Sequence, residues 1–228
     1  MQQRYSVTKQ AYKQDIMLDT IPGDKSISHR AAIFGSLAEN QSYFKNVLLS
    51  EDCLNTIEIM QEMGVEIKIN QTDLHIKGVG KYGLKAPRNI LDVGNAGTGI
   101  RLLLGLLAGQ SFSSTITGDA SIQNRPMKRV IDPLTKMGAL FQPTQKKAQW
   151  TAPITIKGNS SLTAINYTLP VASAQLKSAL LIAHLYAKGE LMINQPEASR
   201  DHTEHMLAYY GIPLTHAKLT IQGNLDKP

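Results

Sequence analysis

The chain has 228 residues, 42% of them hydrophobic, and its 24 basic and 18 acidic residues give a formal net charge of +6. A single cysteine, Cys53, excludes an internally disulfide-bonded scaffold, and apolar runs such as LLLGLLAG are far shorter than the ~20 residues that span a bilayer. The first residues, MQQRYSVTKQAYKQ, lack the apolar segment of a signal peptide, so we expect a globular cytoplasmic protein with no membrane partner. The positive excess favours acidic partners such as phosphates, carboxylates or nucleic acid.

Taken in chain order, the predicted elements fall into three similar units. The first has a strand DIMLDTI, a helix KSISHRAAIFGSLAEN, a strand SYFKNV, a helix CLNTIEIMQEMG, and the strands VEIKIN and DLHIKG. The second has NILDVG, TGIRLLLGLLAG, STITGD, RVIDPLTKMG, ALFQPT and PITIKG in the same order. The third has AINYTLP, AQLKSALLIAHLYAKG, LMINQP, TEHMLAYYG, IPLTHAK and LTIQG. Each unit therefore reads βαβαββ.

The repeat has a regular period. Gly64, Gly138 and Gly211 each follow the second helix of a unit, 74 and 73 residues apart, where a helix often ends on a left-handed residue. The alternative to an internal repeat is that similar helix caps recur by chance. Several helices and strands match between the three units, which favours the repeat. We predict an α/β fold of three βαβαββ repeats with pseudo-threefold symmetry, its apolar helices inside and its sheets outside. The predicted boundaries are 16–87, 88–158 and 159–228, after a polar arm at 1–15.

The first helix of each unit begins with basic and hydrogen-bonding residues. They are Lys25, Ser26 and Arg30 in unit one, Asn95, Gly97, Thr98 and Arg101 in unit two, and Ser173, Gln175 and Lys177 in unit three. A helix N-terminus offers amide donors and partial positive charge, and Lys or Arg adds charge-assisted hydrogen bonds. Because the symmetry brings the three helix starts together, we predict a convergent anion pocket. The alternative is ordinary N-caps beside solvated charges.

The second helices carry further basic residues. Arg125 precedes Pro126, which suits the first turn of a helix, and Arg200 occupies the corresponding place in unit three. Positive side chains there oppose the helix dipole unless an anion is bound, so both residues are candidate anion ligands. Unit one has acidic residues at the start of its second helix, where negative charge stabilises the helix through its dipole.

Three tempting patterns are incomplete. GNAGTG does not have the spacing of the dinucleotide fingerprint, and GDKS lacks the rest of a Walker A loop. DHTEH places two histidines three residues apart, whereas the helical zinc motif needs them four apart. None of these three patterns therefore indicates a nucleotide or zinc site.

The motifs GDKSISHR, GNAGTGIR, GDASIQNRPMKRV and VASAQLKSALLIA together resemble the N-terminal half of the EPSP synthase (3-phosphoshikimate 1-carboxyvinyltransferase) family, over essentially the whole chain. The resemblance implies one lobe of a two-lobed enzyme, each lobe having three βαβαββ units. It also implies the reaction of shikimate 3-phosphate with phosphoenolpyruvate in chorismate and aromatic amino-acid biosynthesis. This reaction proceeds by addition and elimination, without a metal or an organic cofactor. Both substrates are phosphorylated acids, which suits a pocket lined by arginine.

The resemblance assigns roles to particular residues. Those expected to bind shikimate 3-phosphate are Lys25, Ser26, Arg30, Ser173, Ala174, Gln175 and Arg200. Those expected around phosphoenolpyruvate are Lys25, Asn95, Gly97, Arg101, Arg125 and Gln175. Ala174 stands where many members have a second serine, so one hydroxyl contact is missing. Gly97 retains the glycine that leaves room for the inhibitor glyphosate, which we expect to compete with phosphoenolpyruvate in the complete enzyme.

Family enzymes are nearly twice as long as this chain, and the resemblance places their acid/base residues largely in the second lobe. We therefore expect no confident catalytic residue here, a chain that is inactive alone, and the missing C-terminal lobe as its partner. An arm at 1–15 would belong with that lobe.

Within the same fold the alternative is a UDP-N-acetylglucosamine enolpyruvyl transferase, whose reactive loop cysteine has no counterpart because Cys53 lies in a predicted helix. Another is an RNA-binding module like the RNA 3′-phosphate cyclases, but aromatic residues for base stacking are sparse, so nucleic acid is not expected.

Overall fold

The computed structural model describes residues 21–146, 148–159, 161–212, 214–217 and 220–223. The predicted arm and nearly all of the first predicted strand, DIMLDTI, lie outside these residues. The helices are α1 Lys25–Leu37, α2 Glu51–Glu62, α3 Gly97–Ala108, α4 Lys128–Lys136, α5 Ala174–His184 and α6 His202–Tyr209. The strands are β1 Gln41–Phe44, β2 Glu66–Asn70, β3 Asp73–Lys77, β4 Leu91–Asp92, β5 Ser114–Thr117, β6 Leu140–Lys146, β7 Gln149–Lys157, β8 Leu162–Thr163, β9 Asn166–Thr168, β10 Ala187–Lys188, β11 Leu191–Asn194, β12 Leu214–Ala217 and β13 Thr220–Gly223.

Strand order repeats along the chain. The sheets β4-β5-β7-β6 and β9-β11-β13-β12 share one order, in which the first two strands are parallel and the others antiparallel. The sheet β1-β3-β2 has the same order as the last three strands of those two sheets, β5-β7-β6 and β11-β13-β12. Gly64, Gly138 and Gly211 follow α2, α4 and α6 with φ of +92°, +103° and +77°, so the predicted left-handed helix ends are confirmed. The parallel pair formed by β8 and β10 was not predicted.

The strands bury one face each. Leu74 and Ile76 of β3 and Ile154 and Ile156 of β7 are buried, and each pair is separated by a residue on the opposite face. This period of two is what a sheet with one side on the core requires. The inner sides of the sheets therefore face the helices, as the sequence pattern indicates.

Helix α3 lies at the centre of the molecule. Ten of its twelve residues are buried, since apolar side chains run all round it rather than along one stripe. It packs closely on α5: a Cβ added to Gly105 would lie 2.3 Å from the Ala179 carbonyl oxygen. Glycine at this point lets the two backbones approach, which brings the starts of α3 and α5 side by side. No helix among the described residues is long and apolar enough to cross a bilayer.

Candidate functional site

Two arginines border the start of α3. Arg125 donates through Nη2 to Asn95 Oδ1 at 2.8 Å and to Ser121 Oγ at 3.2 Å, and Arg101 donates through Nη1 to the Gly97 carbonyl at 2.7 Å. A Cβ added to Gly97 would lie 2.4 Å from Arg125 Nη1 and 3.2 Å from Arg101 Nη1. Both guanidinium groups therefore surround one backbone position that only glycine leaves open.

Among the described residues no carboxylate contacts either guanidinium group directly, and Asp119 reaches Arg125 only through Asn95. Burial lowers the pKa of Arg101, and the charge of Arg125 lowers it further. Neither arginine has an ion pair among the described residues. The N-cap residue of α3 is Ala96, which supplies no side-chain acceptor for the first amides of the helix. Two neighbouring cations at an uncapped helix start make a site that suits an anion.

Helix α5 joins the same site. Gln175 Nε2 donates to Thr98 Oγ1 at 3.0 Å, which ties the first turn of α5 to the first turn of α3. Ser173 caps α5, its Oγ accepting from the Leu176 amide at 3.3 Å. A groove of about 660 Å³ lies beside these helix starts. Its polar lining includes Arg101, Lys128, Arg129, Asp132, Gln149, Tyr167, Ser173 and Gln175.

The start of α1 differs from that of α3. The Asp24 carboxylate caps α1 by accepting from the Ile27 amide at 2.8 Å, so an acid already occupies this helix start. Lys25, half exposed, forms an ion pair with Asp52 at the start of α2. Ser26 is half-buried, and its carbonyl accepts from Arg30 Nη1 at 2.8 Å. Lys25 is therefore held by a carboxylate here, and no described contact joins it to the arginines at α3.

Arg30 lies beneath the surface in a network that links α1, α5 and α6. It is 3% exposed and donates to Thr203 Oγ1 at 2.6 Å and to Ser178 Oγ at 2.7 Å. Burial lowers its pKa to about 10, so the group still carries its charge at neutral pH. Its role as a substrate ligand stays a prediction, and these contacts show that it also holds three helices together.

Lys177 was expected to face the site, and this expectation was wrong. Its side chain is 1% exposed, pairs with buried Glu204 at 2.5 Å and lies 3.4 Å from the Ser199 carbonyl. Position 177 is on the inward side of α5, where the helix packs on α6. Arg30, Lys177 and Glu204 leave the buried network with one more positive than negative charge.

The remaining predicted residues take separate positions. Arg200 is exposed and directly follows Ser199, whose carbonyl lies near Lys177. Ala174 is half-buried as the first residue of α5. Arg125 does not open α4 as expected, because a short helical turn, Ile122–Asn124, precedes it and α4 begins only at Lys128. The structure thus gathers Asn95, Gly97, Arg101, Arg125 and Gln175 in one place.

Sequence reasoning missed the partners that fix these side chains. Ser178, Thr203 and Glu204 were not singled out, although the latter two open α6 just after Arg200. Their contacts join residues up to 173 positions apart, and no local pattern reveals such pairs.

Comparison with known proteins agrees with the fold described above. The family model of EPSP synthase (3-phosphoshikimate 1-carboxyvinyltransferase) matches residues 11–227. The chain belongs to the EPSP synthase family. A 3-phosphoshikimate 1-carboxyvinyltransferase of Alkalilimnicola ehrlichii is 53% identical over 195 residues, which are 85% of this chain and 43% of the relative. One from Petrotoga mobilis is 50% identical over 203 residues, 89% of this chain and 46% of the relative.

Solved structures extend the agreement to three dimensions. An EPSP synthase from Acinetobacter baumannii superimposes with a TM-score of 0.86 at 45% identity, covering 90% of this chain and 46% of that one. The predicted fold class and family are therefore confirmed. The chain spans less than half the length of these EPSP synthase relatives.

Proposed function

We propose that this chain is the lobe of an EPSP synthase that binds shikimate 3-phosphate and supplies one wall of the phosphoenolpyruvate site. The observation that carries the proposal is the pair Arg101 and Arg125 around Gly97, two cations with no described carboxylate partner. A phosphate or carboxylate placed there would relieve their mutual repulsion and gain charge-assisted hydrogen bonds.

The neighbouring contacts support a division of the site between the two substrates. Ser173 and Gln175 line the groove beside α5, where the ring and phosphate of shikimate 3-phosphate would lie. Asn95, Gly97 and Arg125 would face phosphoenolpyruvate at the start of α3. Lys25 would leave Asp52 to contact both substrates, since its ammonium is half exposed. In the complete enzyme these cations would stabilise charge that develops as the enolpyruvyl group is transferred.

Enolpyruvyl transfer itself needs more than this lobe in our proposal. A second lobe would bring the acid and base groups and close the cleft over the substrates. The proposed partner of the chain is therefore that lobe, and glyphosate would compete for the phosphoenolpyruvate position. Cys53 is buried in α2 and its thiol points to the Lys25 carbonyl at 3.7 Å, which does not fit a reactive loop cysteine.

Calorimetric titration tests the proposal with three ligands: shikimate 3-phosphate, UDP-N-acetylglucosamine and single-stranded RNA. We expect saturable binding of shikimate 3-phosphate alone, weakened in Ser173→Ala and unchanged in the control Ser113→Ala. The exposed Ser113 hydroxyl accepts from the Gly158 amide just before β5. Binding of the UDP-sugar or RNA without shikimate 3-phosphate would contradict the assignment. So would no detectable binding of shikimate 3-phosphate at millimolar concentration.

A further inference from the structure

Asp119 lies just outside the residues expected to touch a ligand, at the turn after β5. We propose that it is a positioning residue: it holds Asn95, and through Asn95 it holds Arg125, in the geometry that receives the anion. The inference rests on the proposed function in one respect, the role of Arg125 as an anion ligand. The positions of the three side chains stand independently of that role.

Asp119 is itself firmly placed. Its amide donates to the Gly94 carbonyl at 2.8 Å, and its carbonyl accepts from the Gln123 amide at 2.9 Å. Its Oδ1 accepts from the Ile122 amide at 2.9 Å, at the first residue of the short helical turn. These three bonds fix the carboxylate relative to the end of the sheet.

The second carboxylate oxygen sets the orientation of Asn95. Asp119 Oδ2 accepts from Asn95 Nδ2 at 2.8 Å, and Asn95 Oδ1 in turn accepts from Arg125 Nη2 at 2.8 Å. A carboxylate can only accept and a guanidinium can only donate, so only one orientation of the amide satisfies both neighbours. Asp119 therefore decides which end of Asn95 faces Arg125.

A plain capping role is the competing explanation, and Asp92 provides a matched example of it. Asp92 ends β4 at the same edge of the sheet, and its Oδ1 accepts from the Gly94 amide at 2.8 Å. Both aspartates are exposed and both accept from a backbone amide, but only Asp119 also contacts Asn95. The substitutions Asp119→Asn and Asp92→Asn remove the same charge from the same edge.

Asp119→Asn keeps the oxygen that caps the Ile122 amide and replaces the other with an amide donor. Asn95 must then turn over, which directs its NH2 group at the guanidinium of Arg125, so that two donors oppose each other. Loss of a carboxylate by itself strengthens the binding of an anion, because a repulsive charge is removed. A weakened affinity for anions in this variant therefore reports lost positioning rather than lost charge.

The test uses the 228-residue chain and two measurements. The first is the NMR resonance of the Arg125 side-chain Nε–H without ligand, assigned by its disappearance in Arg125→Lys. The second is the affinity for phosphoenolpyruvate in the presence of shikimate 3-phosphate. We expect Asp119→Asn to shift or broaden the Arg125 resonance and to weaken phosphoenolpyruvate binding about tenfold, a loss typical of one charge-assisted hydrogen bond. We expect Asp92→Asn to change neither, and both variants to melt at the same temperature.

Equal Arg125 resonances and equal affinities in the two variants would overturn the inference. If the wild-type chain binds no phosphoenolpyruvate, the proposed function of Arg125 is contradicted, and the ligand-free resonance alone decides whether Asp119 positions it. An unchanged resonance in Asp119→Asn overturns the positioning role whatever the affinity.

Discussion

The stability of the lobe should depend on pH through one buried histidine. His29 is fully buried on α1, and its Nδ1 lies 2.8 Å from Thr56 Oγ1 on α2. Burial is the main cause that lowers its pKa from 6.5 to about 4; the charge of Asp52 opposes this, and the charges of Lys25 and Arg30 add to it. The ring therefore stays neutral in the folded chain at pH values where the unfolded chain would protonate it.

The sign and size of this pH dependence follow from the difference in proton binding between the folded and unfolded states. Between pH 6.5 and pH 4 the unfolded state binds more protons than the folded state, so the free energy of unfolding falls as the pH falls. The gap between 6.5 and about 4, at about 1.4 kcal/mol per pH unit, corresponds to about 3 kcal/mol. Above about pH 8 the histidine is neutral in both states and contributes nothing to the slope.

Urea denaturation at pH 7, 6, 5 and 4 measures this slope, with His29→Asn as the comparison. Asparagine keeps a polar atom for Thr56 but does not titrate, so carboxylate contributions remain and the histidine contribution disappears. We expect the wild type to lose about 3 kcal/mol more than the variant between pH 7 and pH 4. Parallel pH dependence in the two proteins would refute the reasoning, as would an NMR titration that places the pKa of His29 near 6.5.

Three further substitutions test the packing and the site. Gly105→Ala places a Cβ against the backbone of α5 and should lower the free energy of unfolding by about 1–3 kcal/mol in urea denaturation; no loss would contradict the close helix packing. Lys177→Met removes the direct ion-pair partner of the buried Glu204 carboxylate and should cost about 3–5 kcal/mol by the same measurement. Unaltered stability would contradict a structural role of this buried pair. Gly97→Ala should displace Arg125 and weaken phosphoenolpyruvate binding about tenfold in calorimetry, with thermal stability nearly unchanged. An unaltered affinity for phosphoenolpyruvate would show that Arg125 is not a ligand.

Local signals in the sequence predicted most of the fold. Left-handed glycines mark the ends of α2, α4 and α6, and alternating apolar residues mark the strands with one buried face. These features depend on neighbouring residues, so they can be read along the chain. The two-residue strands β8 and β10 carry no such pattern, because they are too short to show a period.

The site was harder to predict because its geometry depends on contacts between units. Lys177 and Arg101 both lie in the first turns of helices and look alike in sequence. The packing of α6 on α5 buries Lys177 against Glu204, whereas Arg101 remains at the groove. Asp119 likewise has the appearance of a turn residue until the fold places it against Asn95. Residue type predicted the charge of the site, and tertiary packing decided which charges face it.

An NMR titration of backbone amides with shikimate 3-phosphate tests the central claim most directly. The account predicts saturable shifts that concentrate at the starts of α3 and α5, around Gly97 and Ser173–Gln175. It also predicts little change on the exposed outer face of the sheet β1-β3-β2, where Tyr43 and His75 lie. Shifts confined to that outer face, or no shifts at millimolar ligand, would contradict the assignment of this lobe as the shikimate 3-phosphate site.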